Sequence, residues 1–306
     1  MQKTFICFIL FFGCKSNTFS QSYFYNSPYY ENAAIWEAGL SAGIMNCFTD
    51  LGGRPGPGKS FIKDLAWQQA QPCAGFYTSF LYHYSIGARL EASFGHVAAD
   101  DNILKGDNSV AIGRYRRNLH FRSSIAELAL TTEIHPLAIA AIPDYSHLFS
   151  PYLLAGIGVF SFNPKANLNG NWVSLRPLHT EGQGFTEHPG RRPYKLTQLN
   201  LPVGIGVKYE ISDLLTTRIE IIHRVLFTDY LDDVSNTYID PGLFYRYMDR
   251  ATATIAAQLA DRRNHNGLPN NAPLPFKPGM RGNPANKDAF FSINCKLGII
   301  LNRRRM

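Results

Sequence analysis

The sequence predicts an all-β fold, an eight-stranded antiparallel transmembrane barrel of the outer-membrane type. Three observations predict it. Eight segments alternate apolar and polar side chains, the connections between them are alternately short and long, and one face of the segments gathers charges of both signs in equal number.

The first segment sets the pattern. Trp36, Ala38, Leu40, Ala42 and Ile44 share one face, and Glu37, Gly39, Ser41, Gly43 and Met45 share the other. Successive side chains of a strand point to opposite faces, so this is a strand with one apolar side. The pattern returns in segments near 73–84, 86–97, 121–135, 151–162, 197–210, 215–227 and 289–301. These lengths suit strands that cross a bilayer at a tilt. In the third, Ile86, Ala88, Leu90, Ala92 and Phe94 oppose Gly87, Arg89, Glu91, Ser93 and Gly95; in the sixth, Leu199, Leu201, Val203, Ile205, Val207 and Tyr209 oppose Asn200, Pro202, Gly204, Gly206 and Lys208.

Alternation alone suits a soluble sandwich equally well, with the apolar face turned in. The connections and the charges decide. The links at 84–86, 136–150 and 211–214 are short or moderate, whereas 48–72, 98–120, 163–196 and 228–288 are long and rich in Gly, Pro, Asn and Arg. Outer-membrane barrels show this asymmetry, with short periplasmic turns, long extracellular loops and, for an even strand count, both termini on the periplasmic side. Turning the polar face inward collects Glu37, Glu91, Glu127, Glu133 and Glu220 against Arg89, Lys208, Arg218, Arg224 and Lys296. A barrel of this size is just wide enough for side chains to fill, and unpaired charges there would be costly, so a fully paired ionic plug is expected rather than a pore. Glycines at 39, 43, 87, 95, 156, 158, 204, 206 and 298 would leave room for the long charged side chains. Trp36, Tyr82, Tyr84, Tyr152, Tyr209, Phe227 and Phe290 fall near segment ends, where an interfacial girdle would place them.

Residues 1–20 read as a secretory signal: Lys3, an apolar stretch from Phe5 to Gly13, then Thr18-Phe19-Ser20. The expected division is 1–20 signal, 21–34 periplasmic N-terminal segment and 35–306 barrel. A rival reading takes Phe12-Gly13-Cys14 as a weak lipobox with Cys14 acylated. After Ser20 no apolar run approaches the roughly 20 residues that a spanning helix needs. The mean hydropathy of -0.15 does not count against a barrel, whose membrane signal lies in alternation. A net charge of +7 is spread along the chain with no basic helix, so no nucleic-acid partner is expected.

Cys47, Cys73 and Cys295 follow the signal without CxxC spacing, which argues against zinc and redox chemistry. A Cys47–Cys73 disulfide is a candidate, since both lie at ends of consecutive strands in an exported chain. Residues 53–60 match the phosphate-loop pattern GxxxxGK[ST]. That motif works only between a buried strand and a helix, and here it sits in a Gly/Pro loop, so no nucleotide is expected. Asp229, Asp232, Asp233 and Asp240 are dense enough to hold a calcium ion, but the spacing matches no EF-hand and a hydrogen-bonded loop cap is the simpler reading. His96 and His223 have outward parity and no legible Ser or acidic partner. No catalytic, metal or cofactor-binding residue is therefore assigned, and no enzymatic activity is expected.

Five stretches, Phe48–Gly53, Pro151–Ala166, Trp172–Gly184, Tyr194–Tyr209 and Phe227–Asp240, resemble the PorG family of outer-membrane barrels, from bacteria that carry the type IX secretion system. The resemblance implies a non-enzymatic part of an export machine, set among outer-membrane lipids and associated with a periplasmic ring made by a lipoprotein and its partner. It carries no catalytic residues across. The long insertion near 241–287 and the Arg-rich end depart from the family. Two other roles stay open: a structural or adhesive surface barrel, and a lipid-modifying barrel enzyme. A ring below the membrane reaches only the short-turn end, where Leu137, Ile139, Ile142, Tyr145 and Leu148 form a candidate docking patch. The alternative is a lid folded against the barrel mouth.

Overall fold

The computed structural model describes residues 33–53, 66–105, 112–140, 148–263 and 279–303. The signal sequence, residues 21–32, most of the phosphate-loop match, Ile142, Tyr145, Arg304 and Arg305 lie outside the described residues.

The chain forms β1 (Ala34–Phe48), β2 (Gln71–Tyr82), β3 (Ile86–Asp100), β4 (His120–Ile134), β5 (Phe149–Leu168), β6 (Asn171–Ser174), β7 (Thr197–Glu210), β8 (Leu215–Leu226) and β9 (Ala289–Ile300). Eight of these close a ring in the order β1-β2-β3-β4-β5-β7-β8-β9, every pair antiparallel. The seam joins β1 to β9, from Glu37 opposite Ile300 to Phe48 opposite Ala289. Closure leaves no edge of unpaired backbone groups, which is the condition for strands to sit in hydrocarbon. The barrel expected from the sequence is thus the fold observed. Among the described residues no helix is long and apolar enough to cross a membrane.

The faces follow the expected parity. Leu40, Ile157 and Ile219 point outward and are 70%, 61% and 62% exposed, while Glu37, Arg218 and Glu220 are each 1% exposed inside. The aromatics divide by the same parity. Trp36, Tyr82, Tyr209 and Phe227 are outside as expected, but Tyr84, Tyr152 and Phe290 are buried inside. Tyr152 has the parity of Gly156 and Phe160, and that alternation outweighs its nearness to a segment end.

One end is tight. Between β2 and β3, His83 and Tyr84 both adopt positive φ, 46° and 55°, and Ser85 N donates to Tyr82 O at 3.0 Å. Left-handed residues at both central positions match the twist of the flanking strands. The β4–β5 link carries a one-turn helix α2 (Pro136–Ile139).

The other end is elaborate. β5 runs on to Leu168, beyond the expected end at 162, and turns through Asn169 and Gly170, at φ 53° and 90°, into β6. Helix α1 (Ile112–Arg117) lies between β3 and β4, and α3 (Gly242–Tyr247) and α4 (Arg250–Ala260) occupy the stretch read only as loop. Asp249 caps α4 by accepting from Ala251 N and Thr252 N at 3.0 Å. Its buried stripe is Ala253, Ala256, Leu259 and Ala260, at helical spacing, packed with Leu175, Leu178, Phe185 and Phe244.

A closed antiparallel ring with no open edge resists detergent until heated. Purified chain should migrate differently on a gel before and after boiling. Identical mobility, with the protein in the soluble fraction, would count against the closed barrel.

Candidate functional site: a sealed ionic lumen and its two ends

The ten charged residues assigned to the interior from the sequence are all buried in the lumen. Arg218 on β8 is the central clamp. Its Nε and Nη2 donate to Glu37 Oε1 and Oε2 of β1 at 3.0 and 2.9 Å, and its Nη1 donates to both carboxylate oxygens of Glu133 of β4 at 2.9 Å. Arg89 of β3 pairs with Glu220 and lies 3.3 Å from Glu133 and 3.5 Å from Glu91. Lys296 of β9 bridges Glu91 and Glu220, the latter at 3.0 Å. Nearer the long loops, Arg224 meets Glu127 at 3.0 Å, and Glu127 also accepts from Asn200 Nδ2 at 2.6 Å and Ser93 Oγ at 3.0 Å. Lys208 lies 3.4 Å from both Glu37 and Glu210.

Several members were not read from the sequence. Glu210 and Arg303 are a further buried pair, 2.8 Å apart at the short-turn end, and Arg303 also donates to Tyr84 Oη at 2.8 Å. Tyr77 and Tyr152 donate to Glu37 and Glu220, and their rings lie 5.4 and 5.5 Å from the Arg218 guanidinium. Buried His135 shares a hydrogen bond with Ser150 through Nδ1 at 2.7 Å, with its Nε2 3.5 Å from Glu133. A methyl group on Gly206 would come within 2.6 Å of Tyr152 Cζ, so the glycine there makes space for the tyrosine. Strand parity was the available signal for Tyr77 and Tyr152.

Above the charges, Met45, Cys73, Val97, Phe121, Ile125, Phe160, Phe162, Leu226 and Phe290 form an apolar layer. Among the described residues, buried side chains fill the lumen.

The expected Cys47–Cys73 bridge is not formed, and both are free thiols. Cys73 lies opposite Gly43, whereas Cys47 is four residues further along β1, opposite Phe290. Four strand residues span about 13 Å, roughly twice the Cα separation a disulfide accepts. Cys73 Sγ meets Asn294 Oδ1 at 3.3 Å and Cys47 Sγ faces Ala98 O at 3.8 Å. His96 and His223 are half-buried on β3 and β8, with the His223 ring 5.9 Å from Phe48.

The long loops are tied by buried charges. Glu181 accepts from Ser235 N, Asn236 N and Arg281 Nη1 at 2.9, 3.0 and 3.1 Å. Asp233 accepts from Thr180 and from Tyr194 Oη, the latter at 2.6 Å, and Arg281 donates to the Asp233 carbonyl. Arg117 donates to Asp101, Asp50 O and Arg281 O at 2.6 to 2.9 Å. Asp240 receives Gly242 N at 2.8 Å. Asp233 and Asp240 are therefore hydrogen-bonded loop caps, while Asp229 and Asp232 are not fully satisfied. Burial pushes Asp233 up to about 6, with Arg281 pulling the other way. It also pushes Asp229 up to about 7.

At the short-turn end the candidate patch is divided. Ile139 is 52% exposed, Leu137 and Leu148 are half-buried, and Ala138 packs on Ile35, Leu81, Tyr84 and Ile300. Helix α2 thus covers part of the mouth and presents Ile139 outward.

No family model matches the sequence, and neither does any curated protein. Among solved structures the chain is similar to the N-terminal β-barrel domain of Pseudomonas aeruginosa OprF, at 7% identity and TM-score 0.31, with 88% of this chain and 98% of that one covered. It is similar to Ail, the attachment invasion locus protein of Yersinia pestis, in complex with the heparin analogue sucrose octasulfate, at 8% identity and TM-score 0.35, covering 88% and 97%. It is also similar to Neisserial surface protein A, at 8% identity and TM-score 0.34, covering 87% and 97%. The fold itself rests on the closed strand order.

Two outcomes are expected. Glu220→Lys places a third cation beside the buried Arg89 and Lys296, so it should cost roughly 3–5 kcal/mol. Glu187→Lys, at an exposed pair with Arg246, should shift the denaturant midpoint far less. Equal midpoints would reject the ionic interior. Raised folded-state values for Asp229 and Asp233 mean that the folded cap holds protons the unfolded chain has already released. In chelator-treated protein, hydrogen-exchange protection of residues 228–240 should fall between about pH 4 and 7 and level off above. Protection that rises with pH would contradict this.

Proposed function

We propose that the chain is a non-enzymatic outer-membrane barrel that serves the type IX export machinery by holding its periplasmic ring. The observation that carries this reading is the inside-out construction: an apolar exterior suited to lipid around a charged lumen packed shut. A packed lumen offers neither passage nor reaction space, so activity belongs to the ends. Residues 1–20, read as a secretory signal, support export to the outer membrane, and the resemblance of the five stretches supports the secretion role. In this orientation the short-turn end faces the periplasm. A ring there would meet α2, with Ile139 outward and Leu137 and Leu148 beside it. The second reading, a surface-adhesion barrel, is favoured by the tied loops at the opposite end.

The two are separated by which end matters. Replacing 137–148 with a short Gly/Ser turn should preserve heat-modifiable mobility while abolishing co-purification of the ring proteins and export of secreted cargo. Trimming 264–278 should spare both. Normal secretion from the turn variant, with loss from the loop variant, would reject periplasmic docking and favour the outward role.

A further inference from the structure

Every Lys and Arg on the described barrel strands is buried in the lumen except Arg122 of β4 and Lys165 of β5. Both have outward parity, Arg122 exposed and Lys165 half-buried. The ladder sets them directly opposite one another. Opposed residues of an antiparallel pair bring their Cβ atoms to about 4.5–5.5 Å, and like charges so placed destabilise the pairing. Among the described residues neither side chain forms an ion pair or a hydrogen bond. The nearby acid of outward parity, Asp100 of β3, stands opposite His120, and its carboxylate accepts from Asn102 N at 2.8 Å. A third cation reaches the same rim: Arg262 Nη1 donates to Asn167 O at 2.9 Å.

The surroundings fix the height of the pair on the wall. Below it, with the same outward parity, run the exposed Leu128 and Leu130 of β4 and Ile157 and Val159 of β5. Ser124, opposite Asn163, lies between them and the cations, so the apolar band ends just beneath the charges. Above it, Trp172 of β6 lies opposite Asn167, one outward step beyond Lys165, exposed and with its ring 6.1 Å from that of His120. Tryptophan is enriched where hydrocarbon gives way to headgroups. Arg122 and Lys165 thus sit between the apolar band and an interfacial tryptophan, at headgroup depth on the long-loop side. Basic side chains at that depth attract anionic lipid.

We propose that Arg122 and Lys165 together hold the phosphate of a phosphorylated outer-leaflet lipid, whose acyl chains lie along Leu128, Leu130 and Ile157. The guanidinium fork grips two phosphate oxygens and the lysine ammonium adds a point charge. Ser174, opposite Lys165 on its other side, places a hydroxyl at the flank. One shared anion turns the repulsion between the two cations into a common attraction, with no strand moved. A soluble anion would neutralise the pair but leave the apolar residues beneath it unused, whereas a lipid engages both. The inference rests on insertion in the outer membrane and is independent of any export role.

The test uses the full mature chain in a non-ionic detergent. Native mass spectrometry reads the lipid retained after addition of a bisphosphorylated glycolipid, or of the same lipid with its phosphates removed. Wild type should retain the first and shed the second. The double variant Arg122→Gln, Lys165→Gln should stay heat-modifiable and be no less stable in lipid-free detergent, since the repulsion is gone. Its retention should weaken roughly thirtyfold, the effect of removing two cations from an anionic lipid surface. The exchange Arg122→Lys, Lys165→Arg should keep binding, and so should Arg192→Gln at an exposed loop position. Equal retention by wild type and the double variant, or of the two lipids, would overturn the site. Full displacement by inorganic phosphate or by an acidic polysaccharide would also overturn it and assign the pair to a soluble anion. Failure of membrane insertion itself would show separately, as a wild-type chain without heat-modifiable mobility.

Discussion

Charges buried in the middle of a barrel have to be balanced by opposite charges, and the rest of this barrel is arranged around that requirement. With Glu210 and Arg303 added to the ten read from the sequence, the described residues of the interior include six carboxylates and six cations, all buried. Arg218 shows why arginine occupies the centre. Its planar fork reaches Glu37 and Glu133, and its guanidinium lies within 5.5 Å of two tyrosine rings. A lysine could not make both bidentate contacts. Every acid but Glu127, whose one cation is Arg224, touches more than one cation, so loss of a member leaves partners uncompensated.

Neutrality in turn dictates the small residues. Long cations cross the lumen only where the facing strand gives way, and Gly298 stands against Glu37, Tyr77 and Thr216. The closed ladder and the ionic core thus depend on the same positions: the strand that contributes a glycine also makes room for a neighbour's charge. The apolar layer above, from Met45 to Phe290, keeps solvent off the pairs on the long-loop side. On the other side Arg303 and Tyr84 close the lumen, with α2 folded partly across it.

Strand number, pairing order and the ten lumen charges were legible because alternation is a local property and parity carries across each strand. What failed was information that parity does not hold or that a nearer cue overrode. Tyr84, Tyr152 and Phe290 were placed in a girdle from their position near segment ends, although the parity of Tyr152 with Gly156 already turned it inward. Glu210 shares the inward parity of Lys208 at the end of β7, whereas Arg303 lies beyond β9, where alternation has stopped, so nothing local marked it as the partner. The disulfide failed on register, a quantity set by pairing across strands. Helix α4 was legible, with Asp249 as its cap and apolar residues at helical spacing, and was hidden only by the polar loop around it. The dense aspartates were legible as a group, but which of them find donors depends on Thr180, Tyr194 and Arg281, all distant in sequence.

The two ends of the molecule obey different physics. Inside the barrel every charge has a counter-charge, so the wall is a rigid frame with little freedom to rearrange. At the long-loop mouth the balance is broken: Arg117 and Arg281 are committed, and Asp229, Asp232 and Asp288 are held at a cost. Such a region draws its order from whatever neutralises it, so its stability depends on the medium above the barrel in a way the lumen's does not. The apolar layer and the paired lumen lie between this mouth and α2. A change at the cap would reach the opposite end only by deforming a closed ring. The two ends are therefore separate, one fixed in place by the wall and the other conditioned by solution.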